Sequence, residues 1–268
     1  MSRWFGRCFS LMAVAAGLLP GCAAVSEINL ISTEQEVAMG AEFAGEVERE
    51  MRMYDDPVVE SYIDSLGQVL AKNSDRPEIA YRFRVVDTDE VNAFALPGGF
   101  LYVNRGLITT AENESELAGV IAHEVGHVVG KHSAKMLTRQ YGIAVLAQIA
   151  LGEDPGMVKS LVANIAATGA LMKYSRDAER EADRFGVDET HRSGIDPRGM
   201  STFFEKLQAM HEREPSSIEK FFSTHPPNAE RIETTRSYIN SLPALASPTR
   251  DSERFHRVQE RIRASKGS

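Results

Sequence analysis

The chain has 268 residues, 43% of them hydrophobic and 25% charged, with a formal net charge of −8. That is a globular composition, which excludes a disordered or low-complexity chain and suits one good-sized domain. The acidic balance argues against nucleic-acid binding, which wants a basic face.

The first 21 residues read as an export signal. Arg3 and Arg7 precede an apolar run from Phe9 to Leu19. The run is shorter than the ~20 residues a bilayer span needs, and it suits the apolar region of a signal peptide. Leu19-Pro20-Gly21-Cys22 resembles a bacterial lipobox, in which cleavage before the cysteine and its acylation anchor the mature chain. Residues 1–21 are thus predicted to be a lipoprotein signal peptide, with Cys22 lipidated. The alternative is an ordinary signal followed by an incidental cysteine. Ala23, not Asp, follows the cysteine, which implies sorting to the outer membrane, facing the periplasm. Loss of Cys8 with the signal leaves Cys22 as the sole thiol, so no intramolecular disulfide is open to the mature chain.

Residues 22–31 read as a tether and 32–242 as the folded domain. Thr33 with Glu36 offers a capping box for a helix reaching Met53. Asp56-Pro57 starts a second helix, with Val58, Tyr62, Leu66, Val69 and Leu70 on one side. Three strands follow: 81–86, 92–96 and 100–104. Pro97-Gly98-Gly99 turns the second into the third as a hairpin. Such a small sheet needs a helix across one face, and the segment 112–131 supplies it. Two apolar helices, 136–151 and 157–172, are interrupted too often to be membrane spans and are read as buried or lining a cleft. Further helices are expected from Ser175 to Arg192, from Asp196-Pro197 to Arg213, and from Pro226 or Pro227 to Leu242. From 243 to 268 the apolar density falls, and the segment reads as a peripheral helix or tail. The fold class is α+β and predominantly helical, with a three- to four-stranded sheet packed on the helix 112–131.

That helix carries His123-Glu124-Val125-Gly126-His127. Residues four apart share a helix face, so His123 and His127 can offer imidazole nitrogens to one zinc ion, with Glu124 beside them as general base for a water. With 7 histidines in the chain, such a match arises by chance roughly 0.02 times. A third ligand is required. Glu179 and Asp183 are four apart on a later helix, so Glu179 can reach the metal while Asp183 orients a ligand histidine through its other ring nitrogen. Glu181 is the competing ligand, but its position is rotated roughly 200° from Glu179. His132, His191, His211 and His256 have no partner at useful spacing and are read as surface residues.

These residues carry a resemblance. His123-Glu124-x-x-His127 with Ser175-Arg176, Glu179 and Asp183 resembles the gluzincin zinc metallopeptidases of the HtpX, BepA and LoiP type, peptidase family M48. So do Asn92-Ala93-Phe94-Ala95-Leu96-Pro97-Gly98-Gly99, Val103-x-x-Gly106-Leu107 and Thr224-His225-Pro226-Pro227 with Arg231. It covers about residues 32–240. The bare domain behind a lipobox is most similar to the LoiP-like outer-membrane lipoprotein proteases. The resemblance implies one Zn2+ per chain on His123, His127 and Glu179, with Glu124 as the base. A peptide would add as a strand along Asn92, Ala93, Phe94 and Ala95. His225 is open between a donor to the developing oxyanion, a fourth ligand in a latent state, and a structural helix-start residue. Arg231 is read as a salt-bridge partner before a polarising group. The implied function is a zinc-dependent endopeptidase of the bacterial cell envelope that hydrolyses misfolded or misassembled envelope proteins, in contact with the outer-membrane assembly machinery. The alternative is a non-proteolytic chaperone or assembly lipoprotein with a structural or latent zinc site.

Overall fold

The computed structural model describes residues 31–168, 171, 173–213, 218–225 and 229–265. The segment expected to be a signal peptide, Cys22, most of the expected tether and the pair Pro226-Pro227 lie outside the described residues.

Two helices come first. α1 (Thr33–Glu50) is capped by Ser32, whose hydroxyl accepts from the Gln35 amide while the Gln35 side chain returns to the Ser32 amide. The expected box, Thr33 with Glu36, is therefore one residue out. Glu36 is instead buried in an ion pair with Arg76 (2.9 Å), which also donates to the Val128 carbonyl (2.8 Å). α2 (Pro57–Lys72) is capped by Asp56. It buries Val59, Tyr62, Ile63, Leu66 and Leu70, while Val58 and Val69 face solvent. The apolar stripe is rotated from the expected one, because Val59 and Ile63 complete a continuous i, i+3, i+4 face that Val58 and Val69 do not join.

The sheet holds β1 (Arg82–Val86), β2 (Ala93–Leu96) and β3 (Phe100–Asn104) in the order β1-β3-β2. β2 and β3 form the expected hairpin, Ala93 opposite Val103 and Leu96 opposite Phe100, and β1 runs parallel to β3. Every residue of β2 and β3 is buried. One face, with Phe83, Val85, Ala95, Leu101 and Val103, joins the core of α2 and α4. The other, with Phe94, Leu96, Phe100 and Tyr102, packs on α1, α5 and α6. One helix layer was expected, and two are present. The sheet is thus the middle layer of the molecule, and β2 is one of its two edge strands.

After β3 come α3 (Arg105–Thr110), which the sequence pattern did not suggest, α4 (Glu114–Val129), α5 (His132–Ala150) and α6 (Pro155–Thr168). No helix of the described residues is long and apolar enough to cross a membrane. α5 and α6 bury Leu137, Leu146, Ile149, Leu161, Val162 and Ile165 in the second core, which accounts for their apolar character. α7 (Arg176–Arg192), α8 (Arg198–Arg213), α9 (Glu219–Thr224) and α10 (Ala229–Ser241) complete the far side of α4. The α+β, mainly helical class holds.

The C-terminal segment differs from the peripheral tail expected of it. α11 (Glu253–Ser265) inserts Phe255, Val258 and Ile262 into the main core, and Gln259 donates to the carbonyls of Ile108 and Ala111 at the end of α3. Its sparse apolar residues misled because spacing, not density, decides what one helix face can bury.

One core residue is chemically out of place. Glu189 on α7 is 1% exposed, and neither carboxylate oxygen has a hydrogen-bond partner among the described residues. Burial, with help from Asp75, holds its pKa well above the usual carboxylate range. The folded chain therefore keeps a proton that the unfolded chain releases, so stability falls as pH rises past the unfolded carboxylate pKa. Glu189→Gln is expected to remove that loss, raising the melting midpoint more at pH 8 than at pH 5. Equal shifts at both pH values would contradict it.

Candidate metal centre

The helix α4 owes its start to Asn113, whose side chain accepts from the Glu116 amide, and to Glu114 and Glu116 at its positive end. It then runs through the core with His123 and His127 toward α7 and Glu124 buried next to them. Gly126 and Gly186 make that meeting close. A Cβ on Gly126 would sit 2.7 Å from the Ala182 carbonyl oxygen, and one on Gly186 would sit 2.9 Å from the His123 amide nitrogen. With no side chains there, the two backbones touch, and Glu179 and Asp183 on α7 reach the α4 histidines.

The structure brings four ligand-type residues together: His123, His127, Glu179 and His225, one ligand atom from each lying within 4.8 Å of the others. His123 Nε2 is 3.1 Å from His127 Nε2 and 3.2 Å from His225 Nδ1. Glu179 lies 3.6 Å from both α4 histidines and 3.2 Å from His225 Nδ1. A tetrahedral zinc with bonds near 2.05 Å would space its corners ~3.3 Å apart. The observed separations are of that size, so the donor set fits a single zinc ion with four protein ligands. Charge also fits. Glu179 and Asp183 share one guanidinium, Arg231, with Glu124 buried nearby beside His225, and a divalent cation would offset the excess negative charge.

Glu124 stands apart from the four. It is 1% exposed, and the polar groups nearest its oxygens are the Ala95 backbone and His225. His225 Nε2 lies 3.4 Å from its Oε1. Burial raises its pKa, against the pull of His225 and His123. A carboxylate buried with such weak partners costs stability and needs a functional reason.

Around these groups lies a supporting layer. Asp183 Oδ1 lies 2.9 Å from His123 Nδ1, and Arg231 grips Asp183 with two contacts of 2.7 Å while its third nitrogen lies 2.7 Å from Glu179. Burial alone would raise Glu179 and Asp183. For Glu179 the charges of His225, His123 and Arg231 outweigh it, and for Asp183 those of Arg231 and His123 do, so both fall below the usual carboxylate range. Burial would lower His123 as well, but Asp183 and Glu179 raise it to about 9. Burial keeps His127 low. Arg231 thus sits as an ion-pair partner of both acids on α7. Glu181 points away from the four, toward His132 (3.1 Å).

His132 is not the surface residue its spacing suggested. It is buried, with Nδ1 2.9 Å from His127 Nδ1. The only signal in the sequence was its place five residues past His127, which is not a helical repeat. His191 and His256 do lie at the surface, bonded to the Pro243 carbonyl and to Asp251, and His211 packs on Phe222. Tyr174 was also missed. Its ring stacks on His127 at 3.8 Å, and its hydroxyl is 2.8 Å from Ser133 Oγ. Ala93, Phe94 and Ala95 lie on the edge strand β2, with Asn92 at its entrance, and Ser133 Oγ lies 3.5 Å from the Ala95 carbonyl oxygen.

A model of peptidase family M48 matches residues 57–239. The chain is 33% identical to the beta-barrel assembly-enhancing protease of Escherichia coli (strain K12) over 244 residues, 87% of this chain and 49% of that protein. It is 33% identical to metalloprotease YcaL of the same organism over 180 residues, 66% of this chain and 68% of that one. It is 29% identical to the mitochondrial metalloendopeptidase OMA1 of Schizosaccharomyces pombe over 220 residues, 79% of this chain and 63% of that protein. The chain spans about half the length of the assembly-enhancing proteases it matches.

Proposed function

The chain carries the metallopeptidase domain of peptidase family M48 and belongs to that family, and from this we propose that it is a zinc-dependent endopeptidase of the bacterial cell envelope, held in a closed resting form by His225. The observation that carries the reading is the spacing of His123, His127, Glu179 and His225 as four corners of one site, with the buried Glu124 carboxylate beside them.

In this reading His123, His127 and Glu179 hold one zinc ion, and Asp183 orients His123. Bound there, zinc supplies a Lewis acid for the scissile carbonyl and the attacking water. Glu124 takes the proton of that water and passes it to the leaving amine. The peptide lies as an added strand along Asn92, Ala93, Phe94 and Ala95, so recognition is mostly through its backbone. His225 presents Nδ1 to the other three ligand residues and Nε2 to Glu124. It thereby occupies the place the substrate needs and blocks the base.

Substrates are misfolded or misassembled envelope proteins, a reading supported by the lipobox at Cys22 and by the relative whose name ties it to β-barrel assembly. Anchored through Cys22 in the outer membrane and facing the periplasm, the chain would meet them beside the assembly machinery. The LoiP-like architecture belongs to this proposal.

His225→Ala tests it. The variant is expected to keep one zinc per chain and to cleave casein about tenfold faster or more, because the competent fraction no longer waits on His225 leaving. A fall of about 10²–10³-fold would instead make His225 the oxyanion donor. The four-cornered donor set also favours a second reading, a non-proteolytic assembly factor with a structural zinc. No cleavage by either form at any zinc level would select it.

A further inference from the structure

The two α4 histidines are supported differently. His123 rests on Asp183, whose carboxylate is itself locked by Arg231. His127 meets no carboxylate on its outer nitrogen. Its Nδ1 lies 2.9 Å from Nδ1 of His132, and His132 Nε2 lies 3.1 Å from Oε2 of Glu181, whose side chain is half exposed. The chain goes to some length to seat His132. Lys131, between α4 and α5, takes a left-handed conformation at φ 53°, the one non-glycine residue of positive φ among the described residues. That conformation is costly for a lysine, and it turns the backbone so that His132 folds back under His127. Gly130 leaves room for the ring, since a Cβ there would sit 2.3 Å from His132 Nε2.

Hydrogen-bond logic gives the row a direction. A histidine that offers Nε2 to a metal carries its proton on Nδ1. His127 Nδ1–H then donates to His132 Nδ1, and His132 Nε2–H donates to Glu181. The reverse arrangement would place a proton on His127 Nε2 and face the lone pair of His132 toward a carboxylate. Tyr174, stacked on the His127 ring, limits its tilt but cannot choose which nitrogen is protonated.

We propose that His132 and Glu181 are positioning residues for His127, a histidine-to-carboxylate row that fixes its tautomer and ring orientation and so strengthens its hold on the metal. The inference rests on the reading that His127 is a metal ligand. Ligand histidines usually take such support directly from a carboxylate or carbonyl; here an intervening imidazole extends it from a buried centre to a half-exposed acid.

The test is the zinc dissociation constant of the purified full chain, read by competition with a chromophoric chelator, beside the melting midpoint of the metal-free protein. His132→Phe is expected to weaken zinc binding about 10–100-fold with little change in the metal-free midpoint. His132→Asn, whose amide oxygen can accept from His127 Nδ1–H, should recover most of the loss. Glu181→Ala should fall about tenfold and Glu181→Gln much less, which keeps the test alive if His132→Phe does not fold. Wild-type affinity in both His132→Phe and Glu181→Ala would overturn the proposal. So would equal losses in His132→Phe and His132→Asn that track a lowered metal-free midpoint. Wild-type affinity in His127→Ala is a different result, the failure of the metal-centre reading itself.

Discussion

Glu124→Gln is expected to lower casein cleavage by roughly 10²–10⁴-fold, the usual worth of a positioned general acid–base group, while zinc content stays at one per chain. Gln has nearly the shape of Glu and accepts no proton. Glu124 is not one of the four clustered ligand residues, so its replacement leaves the donor set intact. The effect should appear in the wild-type chain and, more plainly, in the His225→Ala background, where the base is uncovered. The same substitution should raise thermal stability, because it replaces a carboxylate whose charged form burial disfavours by a neutral amide. A gain in stability with a loss of cleavage is the signature of a group kept for chemistry. Undiminished cleavage by Glu124→Gln would sink the proposed mechanism.

Arg231→Met is expected to destabilise the metal-free protein by about 3–5 kcal/mol, the cost of leaving a buried charge without its partner. Arg231 contacts Asp183 through two nitrogens and Glu179 through the third, with its guanidinium 5.2 Å from the centre of the Phe204 ring. Met keeps the stem and the ring contact but abandons two buried acids. Zinc should offset part of the loss, since a divalent cation beside Glu179 supplies the positive charge that was removed. Arg231→Lys should be intermediate, because an ammonium cannot reproduce the fork geometry. Acid titration adds a sign. Asp183 and Glu179 are held below the usual carboxylate range, so their contribution is complete above the unfolded pKa and is lost as pH falls through the folded values. In Arg231→Met that acid-side loss should shrink. Denaturant midpoints with and without zinc measure all three effects. A wild-type midpoint for metal-free Arg231→Met would refute the account of Arg231 as the partner of both acids.

Much of the framework was legible because it is local. The hairpin through Pro97-Gly98-Gly99, the caps at Asp56 and Ser175, and the four-residue spacings of His123 with His127 and of Glu179 with Asp183 are all properties of a few neighbouring residues. Apolar density hid the tail, whose Phe255, Val258 and Ile262 are core, and spacing alone left the stripe of α2 open to rotation, so that it runs through Val59 and Ile63, not Val58 and Val69. His132 was passed over because a step of five is not a helical repeat, and its contact with His127 depends on one left-handed residue.

The sequence by itself determined which residues of the motif share a helix face, which turn makes the hairpin, the charge of the chain, and the chemical types brought to the motif. Those follow from a periodicity of 3.6 or 2 residues and from turn stereochemistry, which act over a few positions. Only the tertiary structure decided that α4 and α7 touch at Gly126 and Gly186, that Arg231 lies behind Asp183 and Glu179, and that His225, 98 residues past His127 in the numbering, closes the fourth corner. These depend on how whole helices cross and on which side chains are small enough to let them. No along-chain pattern encodes that, because the contacting groups come from segments that meet only when the cores on both faces of the sheet are packed.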